Sequence, residues 1–468
     1  MTSLRRLASN YSLLVAGETL SKFFSFVAFM YLARILGPRN YGHMEFTLAV
    51  MVFFTLFVDM GSGPWGARQI PQNPDKIPET VTSVVSLRLL LSCVGFLLLY
   101  LFSRSLSDPL PRRLLLIYGI TLFAYPGFLQ WVFQGLQNMR WVAWATVVRQ
   151  FFFSFLIFAT IRRPEDVLAI GWIECVSVGA VVVFILVIYR KVVGSFELRW
   201  NPEDFKRGLL QSAPIGFSEL SWAFIWYSAT VMLGLIVGGR ELGWFGAAHR
   251  PIMAMHTFVF LYFYNLLPSI ALSMQESEDG LRKLLRRSLA LSSWTSLFAG
   301  TMGTIFAEYI LTFIFGTQYQ RAVTTFQILI WVLVAMMISG HFSYTLVGWN
   351  LQKLHLISFL VALAASMLLS PFLIPRYEII GAALTILGSI LVKGILAWYF
   401  VRRHIAPVPL FKHLIKPLAP TILSLVLYWS FPGVHPIIFA ILIPPLFAGS
   451  LLLLQPDLFM RLRLAWKD

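Results

Sequence analysis

The chain has 468 residues, of which 58% are hydrophobic and 12% are charged, and its mean hydropathy is +0.75. Soluble domains carry about 25% charged residues, so this composition excludes a water-soluble globular protein and predicts a membrane protein. The net charge of +16 is spread over many short loops. This distribution argues against a nucleic-acid-binding patch and favours a role for the basic residues in membrane orientation.

Apolar stretches long enough to cross a bilayer recur through almost the whole chain. We therefore predict an all-α, polytopic membrane protein with about 14 transmembrane helices. The predicted spans are residues 10–34, 43–62, 81–103, 114–136, 141–161, 167–189, 209–237, 243–272, 288–315, 321–347, 354–374, 379–401, 412–431 and 433–454. Several prolines interrupt the last two spans, so a count of about twelve is the alternative.

Lysine and arginine are distributed asymmetrically between the two sides of these spans. With the N-terminus inside, 22 of the 37 basic residues lie in inner segments, 10 lie in outer segments and five lie within spans. Because inner loops of membrane proteins are enriched in basic residues, we predict that both termini are cytoplasmic.

The chain divides near its middle at a polar connection that contains ELRWNPEDFKR. We predict that residues 191–208 form a cytoplasmic linker between two six-helix lobes, 1–190 and 209–405. Residues 406–468 then contain two C-terminal helices and a cytoplasmic tail.

An internal repeat supports this division. At a constant offset of 201 residues, polar and glycine positions of the first lobe recur in the second, among them Glu18 as Glu219, Gly37 as Gly238, Arg39 as Arg240 and Gly42 as Gly243. Six helices separate the copies, so the two lobes are expected to be related by an axis along the membrane normal. Transporters that work by alternating access are commonly built in this way.

Several short motifs occur in a fixed order relative to the predicted helices. They are LARILGPRNYG from Leu32, DMGSGPWGARQI from Asp59, QGLQNMRW from Gln134, SAP from Ser212, FGTQYQRA from Phe315 and IPRYEIIGAAL from Ile374. In this order they resemble the polysaccharide transporter (lipid-linked oligosaccharide flippase) family of the multidrug/oligosaccharidyl-lipid/polysaccharide exporter superfamily.

That resemblance implies two helical bundles and a transport function in place of catalysis. The implied substrate is an undecaprenyl-diphosphate-linked oligosaccharide or polysaccharide unit, such as one for lipopolysaccharide O-antigen, which is moved across the cytoplasmic membrane. Implied partners are membrane lipids and glycosyltransferases or a polymerase of the same pathway. The alternatives are a multidrug or cation antiporter of the same superfamily and an integral membrane glycosyltransferase or polymerase.

Charged residues within the predicted spans are the candidate site residues, because burying a charge in a bilayer is costly unless it faces a cavity or a partner. Glu18 and Lys22 share one face of the first helix at i,i+4 spacing. They form either a structural ion pair or a polar cavity wall in which Lys22 meets a lipid phosphate. The resemblance implies cavity cations on the first and eighth helices, which here are Lys22 and Arg250; Arg250 could instead reach the outer interface.

Three further cations and three further carboxylates complete the candidate set. Arg88 and Arg149 either bind substrate or reach lipid headgroups, and Lys393 either binds substrate or holds a packing partner. Glu219, Glu174 and Glu308 either bind a coupling H⁺ or Na⁺ or pair with nearby cations.

Other chemistry has little support in the sequence. The string GSGPWG at Gly61–Gly66 fits a dinucleotide-binding pattern, but it follows a membrane helix and we interpret it as a loop. No Walker A motif or metal-binding histidine pattern is present, so we expect no metal and no cofactor apart from a coupling ion. An enzyme would need an acid or base on an outer loop, and Asp108 is the one strongly acidic residue in the longest of these.

Overall fold

The computed structural model describes residues 2–195, 202–276, 278–405, 407–408 and 410–458. Residues 196–201 of the predicted linker and the tail 459–468 lie outside the described residues. Every regular element within these ranges is a helix, which confirms the all-α fold class. Eleven of the described helical segments are long and apolar enough to cross a membrane, or up to twelve with a bent pair taken as one span.

The chain forms two compact units, and unit 1 comprises Met1–Gly246. Its helices are α1 (Thr2–Asp59), α2 (Ser62–Gln69), α3 (Ile77–Arg104), α4 (Pro109–Gly119), α5 (Gln130–Gly135), α6 (Met139–Thr160), α7 (Val167–Val192), α8 (Pro202–Ile236) and the first turns of α9 (Gly239–Glu276). Helix α1 packs against α6 and α8, and α6 packs against α7.

Apolar side chains in unit 1 occur both inside and outside the bundle. Trp131, Phe133 and Tyr189 are buried in the core that joins α3, α5, α6 and α7. Phe155 and Val183, in contrast, are 58% and 62% exposed. A water-soluble bundle would keep such side chains inside, so an apolar outer surface is the one expected of helices in lipid.

Unit 2 comprises Ala247–Asp468. It contains the rest of α9 and the helices α10 (Glu278–Ile305), α11 (Ala307–Phe315), α12 (Val323–Gly348), α13 (Gln352–His404), α14 (Leu410–Ser430) and α15 (Pro436–Leu454). Helices α12 and α13 pack closely, and Phe342, Leu346 and Ala397 are part of the core between them and α10. The two proline-containing C-terminal segments are both helical.

Three predicted spans differ from the structure by being broken. The span 43–62 ends at Asp59 and continues, after a break, as α2, so the prediction of a loop at Gly61–Gly66 was wrong. Pro64 is tolerated there because the first turn of a helix has unpaired N–H groups in any case. The span 114–136 is interrupted by two short 3₁₀ turns, Ile120–Phe123 and Tyr125–Gly127, and the span 288–315 bends by 64° between α10 and α11.

Two helices contain breaks at positions where the sequence predicts a connection. Helix α1 is non-helical at Gly37, with φ 68°, and α13 is non-helical at Glu378, with φ 48°. Each is part of a continuous candidate span of 53 residues, long enough for two crossings at about 20 residues each. The total of fourteen spans and the lobe boundaries stay predictions.

Candidate functional site

A break in the first spanning region creates a polar position inside unit 1. Asp59 ends α1 and Ser62 begins α2, while Met60 and Gly61 between them adopt left-handed backbone angles, with φ 40° and 72°. Arg88, from α3, occupies this break. It forms an ion pair with Asp59, and its Nε donates to the Ser62 hydroxyl at 2.9 Å.

Arg88 also joins this break to the second broken span of unit 1. Its guanidinium donates to the backbone carbonyl of Phe128 at 3.0 Å, just beyond the 3₁₀ turns that interrupt the span. Helix breaks within a membrane leave backbone groups that need partners from inside the protein. The Arg88 side chain is 4% exposed and that of Asp59 15%, so this arginine acts as a buried support for both breaks.

Helix α8 closes over the same break through small residues. A Cβ added to Gly61 would lie 2.5 Å from the backbone nitrogen of Gly216 and 2.5 Å from the carbonyl oxygen of Ser212. A Cβ added to Gly216 would in turn lie 2.6 Å from the carbonyl carbon of Met60. The backbones are therefore in direct contact, which sets α8 next to Asp59 and Arg88.

This contact places Glu219 beside the buried pair. Glu219 follows Gly216 by one helical turn on α8, is half-buried, and is subject to the charges of Asp59 and Arg88. In the described part of the chain it has no ion-pair partner of its own.

A second arginine–carboxylate pair lies further along the same unit. Arg149 on α6 pairs with Glu174 on α7. Arg149 is near the midpoint of α6, about 15 Å from either end at 1.5 Å per residue. Its side chain is 44% exposed, unlike that of Arg88. Tyr125, in the broken span, is within electrostatic range of Arg88, Asp59 and Arg149.

The two pairs and Glu219 together form a charged cluster of two arginines and three carboxylates. Each arginine already has a carboxylate partner, so the cluster carries a net charge of −1 with Glu219 ionised and 0 with Glu219 protonated. Glu219 is thus the member whose protonation, or whose binding of a small cation, neutralises the cluster.

Unit 2 contains one deeply buried cation among the predicted site residues. Lys393 is 9% exposed, and its Nζ lies 4.4 Å from the centre of the Phe359 ring in a cation–π contact. The imidazole of His355, one turn before Phe359, is also near. No carboxylate pairs with Lys393 in the ranges that the structure describes.

The remaining predicted residues are dispersed. Glu18 and Lys22 are both exposed on α1, and the choice between an ion pair and a cavity wall stays a prediction. Arg250 is half-buried in α9 immediately before Pro251 and belongs to unit 2, whereas Lys22 belongs to unit 1. Their joint role stays a prediction.

Glu308 and Asp108, which lie at helix ends or in loops predicted to be outer, make structural contacts and are not members of the charged cluster. Glu308 accepts a hydrogen bond from the Gln320 amide at 2.8 Å. Asp108, considered above as a catalytic acid, accepts from the backbone N–H of Leu110 at 2.9 Å, which caps α4, and its carboxylate is 3.5 Å from His43.

Sequence reasoning missed Asp59 as a member of the cluster and Tyr125 as a neighbour of it. Asp59 lies inside the predicted span 43–62, and an acid in a membrane helix needs a cationic partner, which is a usable signal. Tyr125 gives no such signal, because tyrosine is common at helix ends and its position depends on the broken span.

The described helices define a polytopic all-α membrane protein. The solved structure of the lipid II flippase MurJ in an inward closed conformation is similar, with a TM-score of 0.75 at 13% identity over 95% of this chain and 99% of that chain. An inward-facing multidrug resistance transporter of the MATE family is similar too, with a TM-score of 0.66 at 14% identity over 82% of this chain and 94% of that chain.

Sequence comparison establishes the family. Residues 7–274 match the family described as Polysaccharide biosynthesis protein, and the chain belongs to it, which confirms the resemblance found in the motifs. A candidate O-antigen transporter of Escherichia coli (strain K12) is 23% identical over 81% of this chain and 92% of its own length. A capsular polysaccharide biosynthesis protein of Staphylococcus aureus is 19% identical over 85% of this chain and 100% of its own length.

Proposed function

We propose that this protein is a flippase that moves a polyprenyl-diphosphate-linked oligosaccharide across the cytoplasmic membrane by alternating access. The observation that carries the proposal is Arg149, a 44% exposed cation at the middle of a spanning helix. A charge at the bilayer centre costs at least about 2.5–3.5 kcal/mol, so an exposed one is expected to face water or a polar ligand. The proposed function therefore requires a polar path that passes Arg149.

Arg149 is the member of the cluster that is suited to an anionic cargo, because the cluster as a whole carries a net charge of −1 or 0. A diphosphate can replace Glu174 as the partner of Arg149, since guanidinium groups bind phosphate and carboxylate with the same two-pronged geometry. Family membership and relatives named for O-antigen transport and capsular polysaccharide biosynthesis support a glycan attached to that diphosphate. Lys22, Arg250 and Lys393 stay predicted contacts for the same anion.

The proposed driving force is a proton or Na⁺ taken up by Glu219. Neutralising the cluster removes the charge that opposes rearrangement of α8 against the Asp59–Arg88 pair. We further propose that both termini are cytoplasmic and that glycosyltransferases or a polymerase of the same pathway supply and consume the cargo. The protein itself makes and breaks no covalent bond in this scheme.

Reconstitution tests the proposal. Purified protein is incorporated into liposomes with a polyprenyl-diphosphate-linked N-acetylglucosamine, and an added galactosyltransferase reports how much lipid-linked sugar reaches the outer leaflet. We expect movement well above that of protein-free liposomes, and faster movement under an imposed H⁺ or Na⁺ gradient.

The alternative within this fold is export of cationic drugs. Its test is ethidium efflux from the same liposomes. Dye efflux together with no movement of the lipid-linked sugar would reject the flippase and favour the antiporter.

A further inference from the structure

A polar pocket of about 310 Å³ opens at one end of unit 1, away from the charged cluster. Its walls come from α2, the turn before α3, the first turns of α3 and the start of α8. We call it the linker pocket, and the side chains used in the argument are Trp65, Gln69, Asn73, Lys76, Arg207 and Gln211. It lies on the side that the charge distribution predicts to be cytoplasmic.

The lining combines three kinds of binding group. Lys76 and Arg207 supply two cations against the one carboxylate of Glu79, and among the described residues neither cation has an ion-pair partner. Lysine and arginine with free donors are suited to a phosphate. The pocket is therefore net positive and ready to bind an anion.

The other groups are suited to a sugar. The side-chain amides of Gln69, Asn73 and Gln211 offer both donors and acceptors, as the hydroxyl groups of a saccharide require. Trp65 provides an aromatic surface for the apolar face of a sugar ring, and its Nε1 donates to Gln211 at 3.1 Å, which fixes the orientation of both side chains.

The size and position of the pocket restrict its ligand. A volume of about 310 Å³ is at the lower end of small-molecule sites, which span about 300–1,000 Å³, and suits one phosphorylated sugar instead of a whole oligosaccharide. Gln211 precedes Glu219 by eight residues on α8, a distance of about 12 Å along the helix. A ligand bound here is thus about two helical turns from the charged cluster.

We propose that the linker pocket is a loading site that binds the phosphorylated sugar next to the lipid of the cargo before transport. The proposal rests on the flippase function proposed above and adds a second binding site to it. Lys76 and Arg207 bind the phosphate, the three amides bind the sugar hydroxyls, and Trp65 packs on the ring. After binding, the phosphorylated sugar moves along α8 toward the charged cluster.

Binding to full-length protein in phosphatidylcholine nanodiscs tests this site. The probe is farnesyl-diphosphate-linked N-acetylglucosamine, and short-chain phosphatidylglycerol is the comparison anion. We expect the double variant Lys76→Gln/Arg207→Gln to weaken probe binding by about tenfold or more, equivalent to about 1.4 kcal/mol. The control is Lys191→Gln, which removes an exposed cation from the end of α7 on the same side, and we expect a change below about twofold.

A filling variant provides a second test that leaves both cations in place. Gly208 and Ser83 both line the pocket, and a Cβ on Gly208 would lie 3.4 Å from the Ser83 hydroxyl, so a larger side chain is added at the pocket wall. We expect Gly208→Leu to weaken probe binding as strongly as the double variant. Gly179→Leu is the matched control, because a Cβ there has no atom within 4 Å. The thermal midpoint of each variant is measured to check that the variant is folded.

The outcomes distinguish failure of the proposed loading site from failure of the proposed flippase function. Probe affinities within twofold of the parent in both pocket variants would overturn the proposal. So would equally tight binding of phosphatidylglycerol with the same dependence on Lys76 and Arg207, because the pocket would then be a phospholipid headgroup site. If the parent protein moves no lipid-linked sugar in liposomes, the flippase function fails; if it does and the pocket variants move it equally well at low substrate, only the loading site fails.

Discussion

Replacing Arg88 with alanine is expected to destabilise the protein far more than replacing Arg149. Arg88 is 4% exposed, and its loss strands the buried Asp59 carboxylate and removes the donors to Ser62 and Phe128. Deleting one partner of a buried ion pair costs about 3–5 kcal/mol. Arg149 is 44% exposed and supports no helix break, so its loss is expected to cost less, although it leaves the 13% exposed Glu174 without this partner.

Thermal unfolding of purified variants in one detergent, followed by tryptophan fluorescence at one scan rate, measures this difference. We expect a clear fall in midpoint and in membrane abundance for Arg88→Ala, and a smaller fall for Arg149→Ala. The double variant Asp59→Asn/Arg88→Met should recover part of the loss, because no unpaired charge is left buried. Equal midpoints for the two single variants would refute the assignment of Arg88 as a support and Arg149 as a ligand-facing residue.

Three further predictions follow from the packing and the charges. Gly61→Ala should lower the thermal midpoint by the equivalent of about 1–3 kcal/mol, because its Cβ would overlap the backbone of Gly216, whereas Gly179→Ala should be neutral. Lys393→Met should raise the thermal midpoint by removing an unpaired buried charge. A lower midpoint would show that Lys393 has a stabilising partner and would contradict this prediction. Glu219→Gln should keep the midpoint and abolish acceleration by H⁺ or Na⁺ gradients in the liposome assay; retained acceleration would exclude Glu219 as the coupling group.

The helices themselves could be predicted from the sequence, because a long apolar stretch in a membrane protein directly indicates a membrane-spanning helix. The spans that became α6, α7 and α12 were predicted to within about three residues at each end. The breaks at Met60–Gly61 and at Ile120–Gly127 were missed. Hydropathy does not change where a helix breaks inside the bilayer, and the break depends on a side chain from elsewhere, here Arg88.

The candidate site was predicted only in part, for a related reason. Arg88, Arg149, Glu174 and Glu219 were identified by the cost of burying their charges, but their pairing was not. Partners such as Asp59 and Arg88 are 29 residues apart, and Arg149 and Glu174 are 25 apart, so only the packing of different helices brings them together.

In the proposed mechanism, an exposed cation within the membrane serves the passage of a diphosphate. The most direct measurement compares, in the same liposomes, a polyprenyl-diphosphate-linked N-acetylglucosamine with a neutral polyprenyl glycoside that lacks the diphosphate, for the parent and for Arg149→Gln. We predict that the parent moves only the diphosphate lipid and that Arg149→Gln, although normally folded, slows this movement by about tenfold, or about 1.4 kcal/mol. Equal movement of the two lipids by the parent, or an unchanged rate in Arg149→Gln, would contradict it.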